Sequence, residues 1–247
     1  MDFNLYSSFK QITNWLAPSH CRICKQPLDR NLDARVQDKG LHLEHYCDEC
    51  YLKLPHQAFC CDRCGEPFSG FSDYCGKCLS TPPAFDSCFC PFQYEAPISD
   101  DICKLKYGDH PQIAKYLANL FLNELYSHGK TLPDALISVP MHASKLRKRG
   151  FNQSHELAKH IGKSLKLPVI EGVLVKSRNT ERQATKTLKQ RKKNLKSSFS
   201  LLGVIKTNHI AIIDDVVTTG ATANEIAKIL KRNGVDYIQV WGIARTR

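Results

Sequence analysis

The sequence predicts an α/β protein: a parallel sheet flanked by helices, with a small cysteine-rich region ahead of it. Two patterns carry that expectation. Beyond residue 85, short apolar runs alternate with segments of helical pitch, and strands separated by helices are the signature of a parallel sheet covered on both faces. Before that, four Cys-x-x-Cys pairs stand in a stretch with few patterned apolar positions, as in a small module stapled by metal.

Taken in order, residues 1–18 place Phe3, Leu5, Phe9, Ile12 and Leu16 near helical spacing and stop at Pro18, predicting a short amphipathic helix. Residues 19–80 form the cysteine-rich, turn-rich region, and "STPPAF" (80–85) reads as a stiff connector. The α/β domain is expected over 88–247. In it, 111–129 reads as a helix between Pro111 and Gly129, and "DALISVP" (134–140) as a buried strand stopped by proline. Residues 152–165 give a second helix. "PVIEGVLVK" (168–176) and "HIAIIDD" (209–215) read as strands, 222–234 as a helix ended by Gly234, and "YIQVWGIAR" (237–245) as a closing strand.

Bulk properties exclude some classes. A chain of 247 residues with 42% hydrophobic and 24% charged content has the composition of a globular protein. No apolar run approaches the ~18 residues of a membrane span. The start "MDFNLYSSFKQITNWLAP" lacks the basic-then-apolar order of a signal peptide, so the expected location is cytoplasmic. Thiols stay reduced there, and the cysteines therefore read as metal ligands or buried apolar residues.

Cys21/Cys24, Cys47/Cys50, Cys61/Cys64 and Cys75/Cys78 have the spacing that wraps two thiolates onto one tetrahedral Zn²⁺. Eight ligands suit two closed sites, one site being the minimum expectation. The simplest assignment joins the first two pairs and the last two, and an interleaved pairing stays open. Cys60, Cys88, Cys90 and Cys103 have no evident partner and read as buried thiols.

Charge is uneven. Residues 141–200 hold sixteen Lys or Arg against three Glu, or +13, in a chain of net charge +11. Such a segment suits either a solvated face or a polyanionic partner.

The densest local signal is "IIDDVVTTGAT" (212–222). A strand runs into two carboxylates, then a hydroxyl-rich turn at a glycine, then a helix. Unpaired N–H groups and the peptide dipoles at a helix start favour a phosphate, while adjacent acids can accept bonds from sugar hydroxyls or hold Mg²⁺. A phosphorylated ribose offers both features.

This segment closely resembles the phosphoribosyl pyrophosphate (PRPP) motif of type I phosphoribosyltransferases. The resemblance implies that Asp214 and Asp215 contact the ribose hydroxyls, and that Val217, Thr218, Thr219, Gly220, Ala221 and Thr222 form the 5′-phosphate loop, with Mg²⁺ accompanying PRPP. It further implies a pyrophosphate loop at Pro140, Met141, Arg147, Lys148, Arg149 and Gly150, with Asn152 capping the next helix. The basic stretch 175–199 would be the flexible hood, with Lys176, Arg178, Gln183 and Arg191 as its residues of interest. Lys176 stands where an arginine is usual, which keeps the charge and loses the bidentate fork.

"RKRGFNQS" (147–154) and "NLKSSF" (194–199), preceded by the cysteine pairs, resemble a narrower group, the ComF/GntX-like proteins. That resemblance covers the chain from Cys21 onward. It implies a competence factor handling single-stranded DNA at the inner face of the membrane, with PRPP or a nucleotide as ligand and an uptake helicase among its partners. An active phosphoribosyltransferase in salvage and a zinc adaptor with a vestigial PRPP motif are the alternatives. No residue that would read a base is legible.

Overall fold

The computed structural model describes residues 20–28, 45–70, 72–108, 110–177 and 198–246. The helix expected over 1–18 lies outside them, as do Arg178, Gln183 and Arg191. The chain divides into two compact units, Met1–Leu54 and Pro55–Arg247, and the division falls between the second and third Cys-x-x-Cys pairs. The first unit contains α1 (Asp48–Leu52).

In the second unit α2 (Gly76–Ser80) precedes β1 (Ser87–Phe89), β2 (Phe92–Gln93), α3 (Ile98–Tyr107) and α4 (Gln112–Ser127). Then come β3 (Ala135–Ser138), α5 (Ala143–Arg149), α6 (Gln153–Leu165), β4 (Val169–Ile170) and β5 (Leu174–Lys176). The remainder is β6 (Phe199–Leu201), β7 (His209–Val217), α7 (Ala221–Arg232) and β8 (Tyr237–Arg245).

The sheet runs β1–β8–β7–β3–β4, with β2 also on β8, and every pairing in it is parallel. β1 and β2 are one edge interrupted at Pro91, which has no N–H to give to a ladder; its carbonyl instead accepts from Gln57 N at 2.7 Å. Side chains alternate along the strands. Ile210 and Ile212 of β7 join Ile238 and Val240 of β8 in a cluster with Ile226, Ala227 and Leu230 of α7. On the other face Trp241 meets Phe121 of α4, ring centroids 5.4 Å apart. Cover on both faces explains why these strands read as continuous apolar runs.

After β3 the chain crosses to the edge strand β4, then returns to place β7 on the other side of β3. The strand order reverses between β3 and β7, and clefts form outside the carboxyl ends of strands at such a point. Asp214 lies on β7 near that end.

Several elements differ from expectation. The strand expected over 168–176 is two strands: Gly172, at φ +73°, turns the chain, and β5 pairs antiparallel with β6 instead of joining the sheet. The segment expected as a basic loop at 147–149 is the last turn of α5. His142 caps that helix by accepting from Ser144 N, and Gly150 ends it in the left-handed region at φ +83°. β7 extends past both aspartates to Val217. Helix α3 was not foreseen. As expected, Asn152 caps α6, its side-chain oxygen accepting from Ser154 N at 3.2 Å.

Candidate functional site

The eight paired cysteines come together in sequence order. Cys21, Cys24, Cys47 and Cys50 form one group and Cys61, Cys64, Cys75 and Cys78 another, with all sulfurs of a group within 4.8 Å of one another. Cys24 Sγ lies 3.7 Å from Cys47 Sγ, and Cys64 Sγ 3.8 Å from Cys75 Sγ. A tetrahedron with Zn–S bonds of ~2.3 Å has edges of about 3.8 Å, so the spacing fits that ion, and four thiolates are a donor set able to hold it.

Both groups are built alike. Cys21 N bonds Gln26 O at 2.8 Å and Cys61 N bonds Glu66 O at 2.9 Å, while Lys25 N and Gly65 N return to Cys21 O and Cys61 O. Lys25 and Gly65 share positive φ, and Cys47 and Cys75 each open a short helix. Burial pushes the Cys21 thiol up, yet backbone N–H groups of Cys47, Cys24 and Ile23 outweigh it and bring the thiol down to about 6. Burial drives Cys64 up to about 11. A bound cation displaces that proton. Elemental analysis of the purified chain should find two zinc ions per chain, one for each group, and Cys24→Ser or Cys64→Ser should each lower the count to one. A count unchanged in either variant would exclude this assignment.

Of the four remaining cysteines, Cys88 and Cys90 are buried, Cys60 is half-buried and Cys103 is exposed. The expectation of burial fails for Cys103, which lies on the outer side of α3 and contacts Tyr94 Oη at 3.3 Å.

At the end of β7 the two carboxylates diverge, because successive strand residues point to opposite sides. Asp214 Oδ1 accepts from Ser154 Oγ at 3.1 Å and from Asp215 N at 3.0 Å. Asp215 is buried; its Oδ1 accepts from Val216 N at 2.8 Å, and its Oδ2 lies 2.9 Å from Lys106 Nζ. That second contact is an ion pair outside good hydrogen-bond alignment. Burial, then the neighbouring Asp215 charge, raise Asp214 to about 7, against the opposing pull of Ser154, the Asp215 N–H and Lys106. Lys176 on β5 is made less basic by burial and by Lys145, with Asp214 opposing.

Thr218 and Thr219 are exposed and Gly220, at φ +70°, opens α7. Thr219 Oγ1 accepts from Ala221 N at 3.4 Å. Of the six residues expected in this loop, Val217 is the buried last residue of the strand and Ala221 and Thr222 form the first helical turn; the turn proper is Thr218–Gly220. First-turn N–H groups beside hydroxyls favour an anion, while Asp214 nearby is suited to hydroxyls or a cation.

Helix α5 buries none of its residues, and among the described residues Lys145, Arg147, Lys148 and Arg149 enter no ion pair. The Arg149 guanidinium stacks 5.2 Å over the ring of Tyr107, itself 78% exposed at the end of α3. Pro140, Met141 and Gly150 border a cleft of about 500 Å³ together with Phe151, His155 and Ile170. His155 Nε2 is 3.6 Å from Glu171 Oε1 at this cleft.

Lys106, Tyr107 and Ser154 are site residues that sequence reasoning missed. Ile98, Ile102 and Leu105, spaced i, i+4, i+7 and all buried, were the available signal for α3. Nothing local announces that Lys106 would meet Asp215.

No family model matches the chain. It is 34% identical to DNA utilization protein YhgH of Salmonella typhimurium over 235 residues, 93% of this chain and 98% of that protein. It is 33% identical to competence protein F of Haemophilus influenzae over 207 residues, 81% and 90% of the two chains. Competence protein ComFC of Streptococcus pneumoniae matches at 24% over 154 residues, 62% and 66%. With similarity of this degree across almost its whole length, the chain belongs to the ComF-like competence family.

Proposed function

We propose that this protein serves DNA uptake in competence, and that its Pro55–Arg247 unit binds PRPP, or a related phosphorylated ribose, together with Mg²⁺. The names of the relatives support the DNA role. The observation that carries the ligand is the juxtaposition at the end of β7: Asp214 presented beside a Thr-Thr-Gly turn and the start of α7, at the point where the strand order reverses. Asp215 is held by Lys106, which leaves Asp214 as the carboxylate facing a ligand. Mg²⁺ would neutralise pyrophosphate charge, with Arg147, Lys148, Arg149 and Lys176 adding to it. Calorimetric titration of PRPP with and without Mg²⁺ tests this reading. Metal-dependent binding is expected, and its absence in folded, zinc-loaded protein would sink the reading. Release of pyrophosphate on adding candidate amines or bases would then separate a transferase from a protein that only binds.

A second activity, binding of single-stranded DNA, is favoured by one further observation: Tyr107 is exposed and stacked by Arg149, next to the unpaired cations of α5. An aromatic face with a guanidinium and a basic helix is the equipment of a sequence-tolerant single-strand platform. Tyr107→Ala should cost about 1–3 kcal/mol in oligonucleotide binding. Lys148→Ala should reduce the salt slope by about 1 without sequence preference. Unchanged affinity in both variants would remove the platform. The partner expected beside DNA is an uptake helicase or another protein of the same machinery.

A further inference from the structure

The two cysteine groups are near copies, yet their surroundings differ. Gly65 in the second copy occupies the place that Lys25 occupies in the first, both at positive φ. A Cβ on Gly65 would stand 3.0 Å from Cys88 Sγ and 3.6 Å from Arg245 Cδ, so the body of the unit packs directly on this turn. Lys25 is exposed, and its ammonium donates to Arg22 O at 2.8 Å. The glycine marks a turn pressed against a core, and the lysine a turn facing solvent.

From the second group, contacts lead to the Thr218–Gly220 turn by two routes. Along the chain, α2 carries Cys78 and runs into the connector; Ala84 N then donates to Asn224 Oδ1 in the first turn of α7 at 2.7 Å. Phe85, next in sequence, is buried beneath Gly220, 3.5 Å from where a Cβ would be. Asp86 holds Lys231 at the far end of the same helix, 2.7 Å apart, and accepts from Ile238 N. The other route runs through the sheet edge. Cys88 N donates to Asp62 O, and Glu66 pairs with the buried Arg245. Cys88 Sγ touches Cys90 Sγ at 3.8 Å, and Cys90 and Val217 both close on Gly242, within 2.9 Å of its missing Cβ. Val217 is the residue before the turn.

We infer that the Cys61/Cys64/Cys75/Cys78 site, once closed by zinc, is the positioning element for the Thr218–Gly220 turn and the start of α7. The inference rests on the ligand site proposed above only for its functional meaning; the mechanical coupling stands by itself. Removing metal from the second group frees residues 60–67 and 75–80, which releases Phe85 from beneath Gly220 and Ala84 from Asn224. Helix α7 then loses the backing that fixes its first-turn N–H groups.

Hydrogen exchange on the full, zinc-loaded chain tests this without a ligand. Cys75→Ser should raise exchange of amides 218–224 by about tenfold, and Cys47→Ser should leave them within about twofold of wild type. Amides of α4 report whether the unit remains folded. Should Cys75→Ser unfold it, Asn224→Ala decides the matter: both zinc ions stay, the acceptor for Ala84 N is gone, and exchange at 218–224 still rises although alanine is the better helix former. Equal effects from the two cysteine variants, or an unmoved turn in Cys75→Ser with α4 protected and in Asn224→Ala, would overturn the inference. Failure of PRPP to bind wild-type protein would leave these exchange results standing.

Discussion

Exchanging Asp214 and Asp215 together for asparagine is expected to abolish Mg²⁺-dependent PRPP binding, a loss of at least about 100-fold if Asp214 gives the ligand two charged hydrogen bonds of about 1.5–3 kcal/mol each, while the change at Asp215 takes the counter-charge from Lys106. The single change Asp214→Asn is the more informative. Burial and the Asp215 charge raise Asp214 from its ordinary 3.8 to about 7. A carboxyl raised on folding contributes stability that is present below its ordinary value and is lost as pH climbs through about 7. Above neutrality the ionised Asp214 therefore costs stability, and asparagine removes that cost. Asp214→Asn should melt higher than wild type at pH 8, with the difference vanishing toward pH 4. Ligand affinity should move the other way. Ionised Asp214 is the form that holds a cation or accepts hydroxyl bonds, so wild-type affinity should rise between pH 6 and pH 8. A flat profile, or a variant less stable at pH 8, would show that Asp214 is a structural residue.

Lys106→Met should destabilise the Pro55–Arg247 unit by about 3 kcal/mol in urea titration, since it strands a buried carboxylate without its counter-charge. The Lys106 and Asp215 side chains are 20% and 7% exposed, so water offers little compensation. Adding Asp215→Asn to Lys106→Met should restore most of the loss, because a neutral amide needs no cation. A cost for Lys106→Met below about 0.5 kcal/mol would class the pair with screened surface bridges. Lys106 also opposes the upward shift of Asp214, and its removal should carry the pH dependence of ligand binding to higher pH.

These residues show where the sequence is readable. β7 and β8 are legible because strands covered on both faces are written in long runs of Ile, Val and Ala. The turn at 218–220 is legible because hydroxyls, a glycine and a helix start stand side by side. The cysteine groups are legible because Cys-x-x-Cys spacing is local. What escaped depends on distance along the chain or on competing local signals. Val169–Lys176 carries branched residues on both sides of Gly172 and reads as one strand, yet that glycine folds it into two. Ala143–Arg149 reads as a basic loop because charge hides its helix formers, while His142 and Gly150 supply the start and stop of a helix. Lys106 meets Asp215 across more than a hundred residues, and no spacing rule encodes that contact. The two cysteine groups share the same Cys-x-x-Cys spacing, and at the turn position Gly65 against Lys25 marks the one that is packed against a core.

The sheet's strand order has a consequence for how the protein is made. β1, at Ser87–Phe89, takes its only described partner from β8, with Ser87 opposite Gln239, about 150 residues later. At ~5–20 residues per second of synthesis, β1 waits roughly 10–30 s for that partner to leave the ribosome. Throughout that interval Cys88 and Cys90 lack the cover of β8 that later buries them. β8 also serves β2 and β7, so its arrival closes three pairings in one event. Translation that stops short of Tyr237 leaves a chain with its zinc ligands and its acidic pair intact, with β7, β3 and β4 still able to pair, and with β1, β2 and the free side of β7 lacking the strand that joins them.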